Sequence, residues 1–157
     1  MSKVFEDYFS ELQADMVSIC LEYVRNRADE IYIYCSHEEG IISSYFFYCI
    51  NGKIIKKHKL NDALVIANEK AEFVYNTSSE RQGTTLKIIN SDIEKIIHLC
   101  KEYKREMPTE MKLIYDVVKN KLMVDYKYDL VYFNDPIKTA NDIALEWFEE
   151  IKGENSN

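Results

Sequence analysis

Residues 111–129, MKLIYDVVKNKLMVDYKYD, constrain the fold more than any other stretch of the chain. Two alternating runs meet at Lys119-Asn120, and side chains along a strand point to opposite faces in turn, so the pattern predicts a β-hairpin. With those two residues as the loop, Val118 pairs with Lys121, Val117 with Leu122, Tyr115 with Val124 and Leu113 with Tyr126. Met111, Leu113, Tyr115, Val117, Leu122, Val124, Tyr126 and Tyr128 then share one face. Lys112, Ile114, Asp116, Met123, Asp125, Lys127 and Asp129 share the other. The first face is core and the second is wet and charged. A one-residue slip would carry the whole apolar set into water, so the pattern is expected to specify its own pairing strongly.

The rest of the 157-residue chain supplies what such a hairpin packs against. Between Val4 and Val24, apolar residues from Phe5 to Tyr23 recur at three and four with acidic residues between them, which predicts an amphipathic helix. Residues 30–37 alternate Ile31, Ile33 and Cys35 with Tyr32, Tyr34 and Ser36, the pattern of a strand. Residues 41–50 and 53–58 flank Asn51-Gly52, a dipeptide that tolerates positive φ at both turn positions, so they form a second hairpin. Its faces are less cleanly divided, because Phe46, Tyr48 and Ile50 alternate with Tyr45, Phe47 and Cys49; helices or a partner would have to cover both sides.

Asn61 or Asp62 could cap a short helix through Lys70, and residues 76–85 have the composition of a mobile surface loop. Ser91 with Glu94 fits a capping box opening a second long helix, which Pro108 would end. Thr139 can cap a last helix with Ala140, Ile143, Ala144, Trp147, Phe148 and Ile151 inward. The expected fold is α+β, a mostly antiparallel sheet of about five strands with helices packed chiefly on one face. One domain is expected over residues 1–152, with a frayed tail at 153–157.

Charge and cysteine content narrow the function classes. With 27 acidic and 20 basic residues the net charge is −7, which argues against a general binder of phosphate backbones but suits a basic protein partner. Cys20, Cys35, Cys49 and Cys100 form no CxxC pair and lie in apolar runs, so reduced, buried thiols are expected. No cationic leader or membrane-length apolar run is evident, and a cytoplasmic location is the expectation.

Catalytic signals are weak. His37, His58 and His98 are scattered, the HExxH, GxSxG, P-loop and GxGxxG motifs are missing, and four glycines leave little material for a phosphate-cradling loop. No cofactor is expected. The best constellation for chemistry is Asp116, Asp125 and Asp129, in which Asp116 would lie diagonal to Asp125, so that at most two carboxylates could share a magnesium ion. A solvated face of ion pairs is the plainer reading. Tyr32 and Tyr34 either join those carboxylates in an aromatic and acidic surface for gripping a partner, or are packed beneath a helix.

Glu30-Ile-Tyr-Ile-Tyr-Cys, then Ser44-Tyr-Phe-Phe-Tyr-Cys-Ile-Asn-Gly-Lys, a long helix, Met107-Pro-Thr, and a hairpin ending Val124-Asp-Tyr-Lys-Tyr-Asp129 together resemble the YezG/EsaG-like immunity proteins, bacterial antitoxins that bind and neutralise secreted polymorphic toxins. The resemblance spans residues 1 to about 130 in layout, and Asp-Tyr-x-Tyr-Asp at 125–129 is its most distinctive word. A Pro-x-x-Trp-like word before the first strand and a Trp at the start of the hairpin are missing; the single Trp147 lies in the last helix. The resemblance implies a non-enzymatic protein whose partner is a cognate toxin, often a nuclease; the charge balance suits a basic toxin, and a cytoplasmic location with no direct nucleic-acid or membrane contact is expected. Tyr32, Tyr34, Asp116, Asp125, Lys127 and Asp129 are the expected partner-binding residues. A small metal-dependent hydrolase using the aspartate face, and a ligand-binding or dimerising α+β module, are the alternatives.

Overall fold

The computed structural model describes residues 3–66 and 73–155. A helix α1 (Phe5–Tyr23) leads into strands β1 (Glu30–Glu38), β2 (Ile41–Ile50) and β3 (Lys53–Lys56). A 3-10 turn (Lys57–Lys59) and helix α2 (Leu60–Ile66) follow, then α3 (Ser79–Glu102), β4 (Glu110–Asp116), β5 (Lys121–Lys127) and α4 (Ala140–Asn155). The strands form one antiparallel sheet in the order β3-β2-β1-β4-β5, so the fold is α+β.

Turn chemistry explains the first three strands. Glu39 and Gly40 have φ of 50° and 78°, and Asn51 and Gly52 have 51° and 77°, so both tight turns use consecutive positive-φ residues whose twist matches the strands they join. Asn51 reaches that region at modest cost because its short polar side chain tolerates it. The aliphatic side of β1 faces inward as expected. Ile31, Ile33 and Cys35 pack with Phe46, Tyr48 and Ile50 of β2, Leu113 of β4, and Met16 and Cys20 of α1. Ile89, Ile93 and Ile96 of α3 complete this core.

The β4–β5 hairpin forms, but in a different register. Leu113 pairs with Val124 and Asp116 with Lys121, so the loop is the four residues 117–120 rather than two. The Asp116 carboxylate accepts a hydrogen bond from the Lys119 amide, Asn120 takes φ of 52°, and the Tyr115 hydroxyl bonds the Asn120 side chain, all of which favour the longer turn. Because the change is two positions, every side chain keeps its expected face and only its cross-strand partner differs.

Three further boundaries differ from the sequence reading. α3 begins at Ser79, since Ser78 rather than Ser91 caps it, the Ser78 hydroxyl accepting from the Arg81 amide. The polar run at 79–85 is therefore helical, held down by buried Thr85. The frayed tail expected from residue 153 does not start there: α4 continues through Asn155, whose side-chain amide donates to the Gly52 carbonyl at 2.8 Å. The helix expected through Lys70 is observed to Ile66, and its remainder lies outside the described residues. All four cysteines are buried free thiols.

The two faces of the sheet are covered unequally. α1 and α3 pack against one face. On the other lies α4, and only over β1, β2 and β3: Trp147 and Phe148 pack with Tyr32, Tyr34, Phe47 and Ile54. Among the described residues no helix covers the corresponding half of β4 and β5. Among the described residues no helix is long and apolar enough to cross a membrane.

Candidate binding surface

One row of side chains across the α4 side of the sheet records where the cover ends. Phe47, Tyr32, Ile114 and Met123 are successive cross-strand partners on β2, β1, β4 and β5. Phe47 is fully buried, Tyr32 is 5% exposed, Ile114 is half-buried against the aromatic cluster, and Met123 is 54% exposed. Trp147 is the wedge that sets this boundary. Its ring centroid lies 5.2 Å from Phe47 and 5.9 Å from Tyr32, both edge-on, the arrangement that aromatic quadrupoles favour.

Tyr32 and Tyr34 are therefore not surface residues, which corrects the expectation that they grip a partner. Both lie beneath α4, where their rings gain more from packing on Trp147 and Phe47 than they would from water. The Tyr34 hydroxyl donates to Glu110 Oε2 at 3.2 Å, and burial, then the Glu110 charge, raises its pKa well above the ordinary tyrosine value.

The other four expected residues remain accessible, and three of them face an opposite charge across the β4–β5 ladder. Asp125 lies opposite Lys112, Asp116 opposite Lys121, and Lys127 opposite Glu110. Glu110 is 2% exposed and receives both Lys112 Nζ at 3.5 Å and Lys127 Nζ at 3.9 Å. Lys112 also lies over the Trp147 ring at 5.6 Å, tying the charged face to the edge of α4. Asp129 follows β5, where its carbonyl accepts from the Thr109 hydroxyl at 2.6 Å.

The observed register also separates the carboxylates proposed to share a metal ion. Asp125 is four residues along the strand from Lys121, the partner of Asp116, a span of roughly 13 Å. Among the described residues no group of three or more His, Cys, Asp or Glu side chains is arranged to hold a metal.

Beyond β5 the chain crosses the end of the sheet with Tyr128, Leu130, Phe133 and Ile137 exposed, Ile137 at 84%. Glu38 pins this crossing. Its buried carboxylate accepts from the amides of Val131, Tyr132 and Phe133 at 3.0, 3.2 and 3.1 Å, a concave set of N–H groups suited to an anion. On the opposite side of β5, Phe5, Phe9, Tyr126 and Tyr128 line a cleft of about 370 Å³ bridged by the Arg105–Glu6 ion pair.

Met123 and the 128–137 apolar residues were not expected at the surface site. The available signal was Met123 itself, an apolar residue placed by alternation on an otherwise charged face. The sequence matches no protein-family model and no curated protein.

Proposed function

We propose that this protein is a bacterial immunity protein that neutralises a basic toxin domain by stoichiometric binding and catalyses no reaction itself. The resemblance of residues 1 to about 130 to the YezG/EsaG-like antitoxins motivates the reading. The observation that carries it is the half-covered sheet face. Ile114 and Met123 make an apolar floor beside α4, rimmed by Lys112, Asp116, Asp125 and Lys127. On the same side of the sheet α4 exposes Asp142, Glu146, Glu149 and Glu150. An apolar centre with a charged rim is the usual anatomy of a protein interface, and the acidic row beside it would steer a basic partner toward the ledge.

In this reading the negative charge that suits a basic partner comes from α4 rather than from Asp116 and Asp125, which lie opposite Lys121 and Lys112 in the ladder. Binding would mask the toxin's active site or hold the toxin in an inactive shape, in the cytoplasm of the cell that makes it. Co-expression with the toxin encoded beside this gene should keep cells alive and yield an isolable complex of fixed stoichiometry. Dying cells with no recoverable complex would dispose of the proposal.

A further inference from the structure

Among the described residues, β5 is an edge strand whose outer main-chain groups face no other strand. The His37 amide donates to the Thr109 carbonyl and the Val117 amide to the Asp29 carbonyl, so odd-numbered residues on β4 bond toward β1. Even-numbered residues on β4 therefore bond toward β5, to Lys121, Met123, Asp125 and Lys127. The amides and carbonyls of Leu122, Val124 and Tyr126 consequently point off the sheet. The opposite edge, β3, is four residues long and runs into a 3-10 turn, whereas β5 has seven residues. An edge of that length is a ready template for another strand.

The sequence of β5 selects its occupant. We infer that β5 pairs antiparallel with β5 of a second copy of this chain, about a two-fold axis through Met123, joining two five-stranded sheets into one. Registers centred on Leu122 or Tyr126 bond only one outward pair within the two strands, since Val124 then falls opposite Asn120 or Tyr128, both outside β5, whereas those centred on Met123, Val124 or Asp125 bond two or more. Centring on Val124 sets Lys121 against Lys127, and centring on Asp125 sets two aspartates against each other. Like charges directly opposite are unfavourable. Centring on Met123 sets Lys121 against Asp125 twice and Leu122 against Val124 twice, with the two methionines meeting on the axis.

That register also resolves the most exposed apolar side chain of the strand. The row Phe47, Tyr32, Ile114 and Met123 continues across the axis into the same row of the second copy, so Met123 gains an apolar neighbour on the side where β5 is the sheet edge. A two-fold interface must be self-complementary, and here both the charges and the apolar row are. The inference is independent of the immunity reading, because the ledge beside α4 remains open in such a dimer.

Sedimentation equilibrium on the full chain tests it. Wild type should have twice the chain mass at micromolar concentration. K121D and D125K, each placing like charges at both pairs, should each associate at least about tenfold more weakly. Mixed one to one, they restore both opposite-charge pairs and should form a heterodimer, and that recovery also certifies that both variants are folded. V124P, which removes an outward amide that β4 does not use, should be monomeric with an unchanged circular dichroism spectrum. A monomeric wild type, or a mixture of K121D and D125K no more associated than either alone, overturns the inference.

Discussion

Ile114 and Met123 are directly paired across β4 and β5, yet the first is shielded by the aromatic cluster under α4 and the second is 54% exposed. The boundary of α4 runs between them. A sheet built with both faces apolar over β1 and β2 but one face charged over β4 and β5 needs one helix on that side, and Trp147 fixes where it stops.

Trp147 is 4% exposed and packs on Tyr32, Tyr34 and Phe47, so Trp147→Ala leaves a large cavity between α4 and the sheet. The expected loss is about 3–5 kcal/mol of stability, read from urea unfolding, with Tyr32 and Tyr34 becoming accessible to solvent quenchers.

Glu38→Gln keeps the shape of the side chain but removes the charge that three consecutive amides share. Charge-assisted bonds of this kind are the stronger class, and a loss of about 1–3 kcal/mol is expected. Amide exchange at Val131, Tyr132 and Phe133 should accelerate more than exchange in β1.

Asp92 lies in the α1–α3 interface at 2% exposure, with burial first and neighbouring Asp15 second raising its pKa from 3.8 to about 7. The folded chain therefore holds a proton that the unfolded chain has released. This contribution favours folding most below about pH 4, declines as pH rises from about 4 to about 7, and is flat above. Asp92→Asn should remove that slope and raise the melting temperature at pH 8; an unchanged pH profile would mean the carboxyl is ordinary.

Lys57 is 7% exposed, its ammonium 3.7 Å from the Tyr45 ring centroid, and burial lowers its pKa from 10.5 to about 8. Desolvation is the larger cause and the neighbouring Lys56 charge the second. The folded state prefers the neutral amine, so this group costs most below about pH 8 and the cost fades as pH rises toward 10.5. Lys57→Met should stabilise the protein at pH 7 and gain less at pH 10, measured by thermal unfolding.

Much of this architecture was readable from period and turn chemistry. Asn51-Gly52 marked its hairpin because few other dipeptides accept two positive φ values, and the alternation at 111–127 put every side chain on its observed face. Register was harder, because a two-residue shift leaves the face pattern unchanged, and only Asp116 bonding the Lys119 amide reveals the longer loop. The start of α3 was hidden because Gly83, Thr84 and Thr85 have low helix propensity, and of these only Thr85 is buried against the core. Tyr32 and Tyr34 could not be assigned from their own strand, since what buries them is Trp147, more than a hundred residues away in the chain.

The proposed partner surface is the open β4–β5 face beside α4, and hydrogen–deuterium exchange of the full chain, alone and in complex with the toxin encoded beside its gene, is its most direct test. Added protection is expected across β4, β5 and residues 128–137 and at the exposed side of α4. Protection confined to the outer surfaces of α1 and α3, with β5 unchanged, would contradict it.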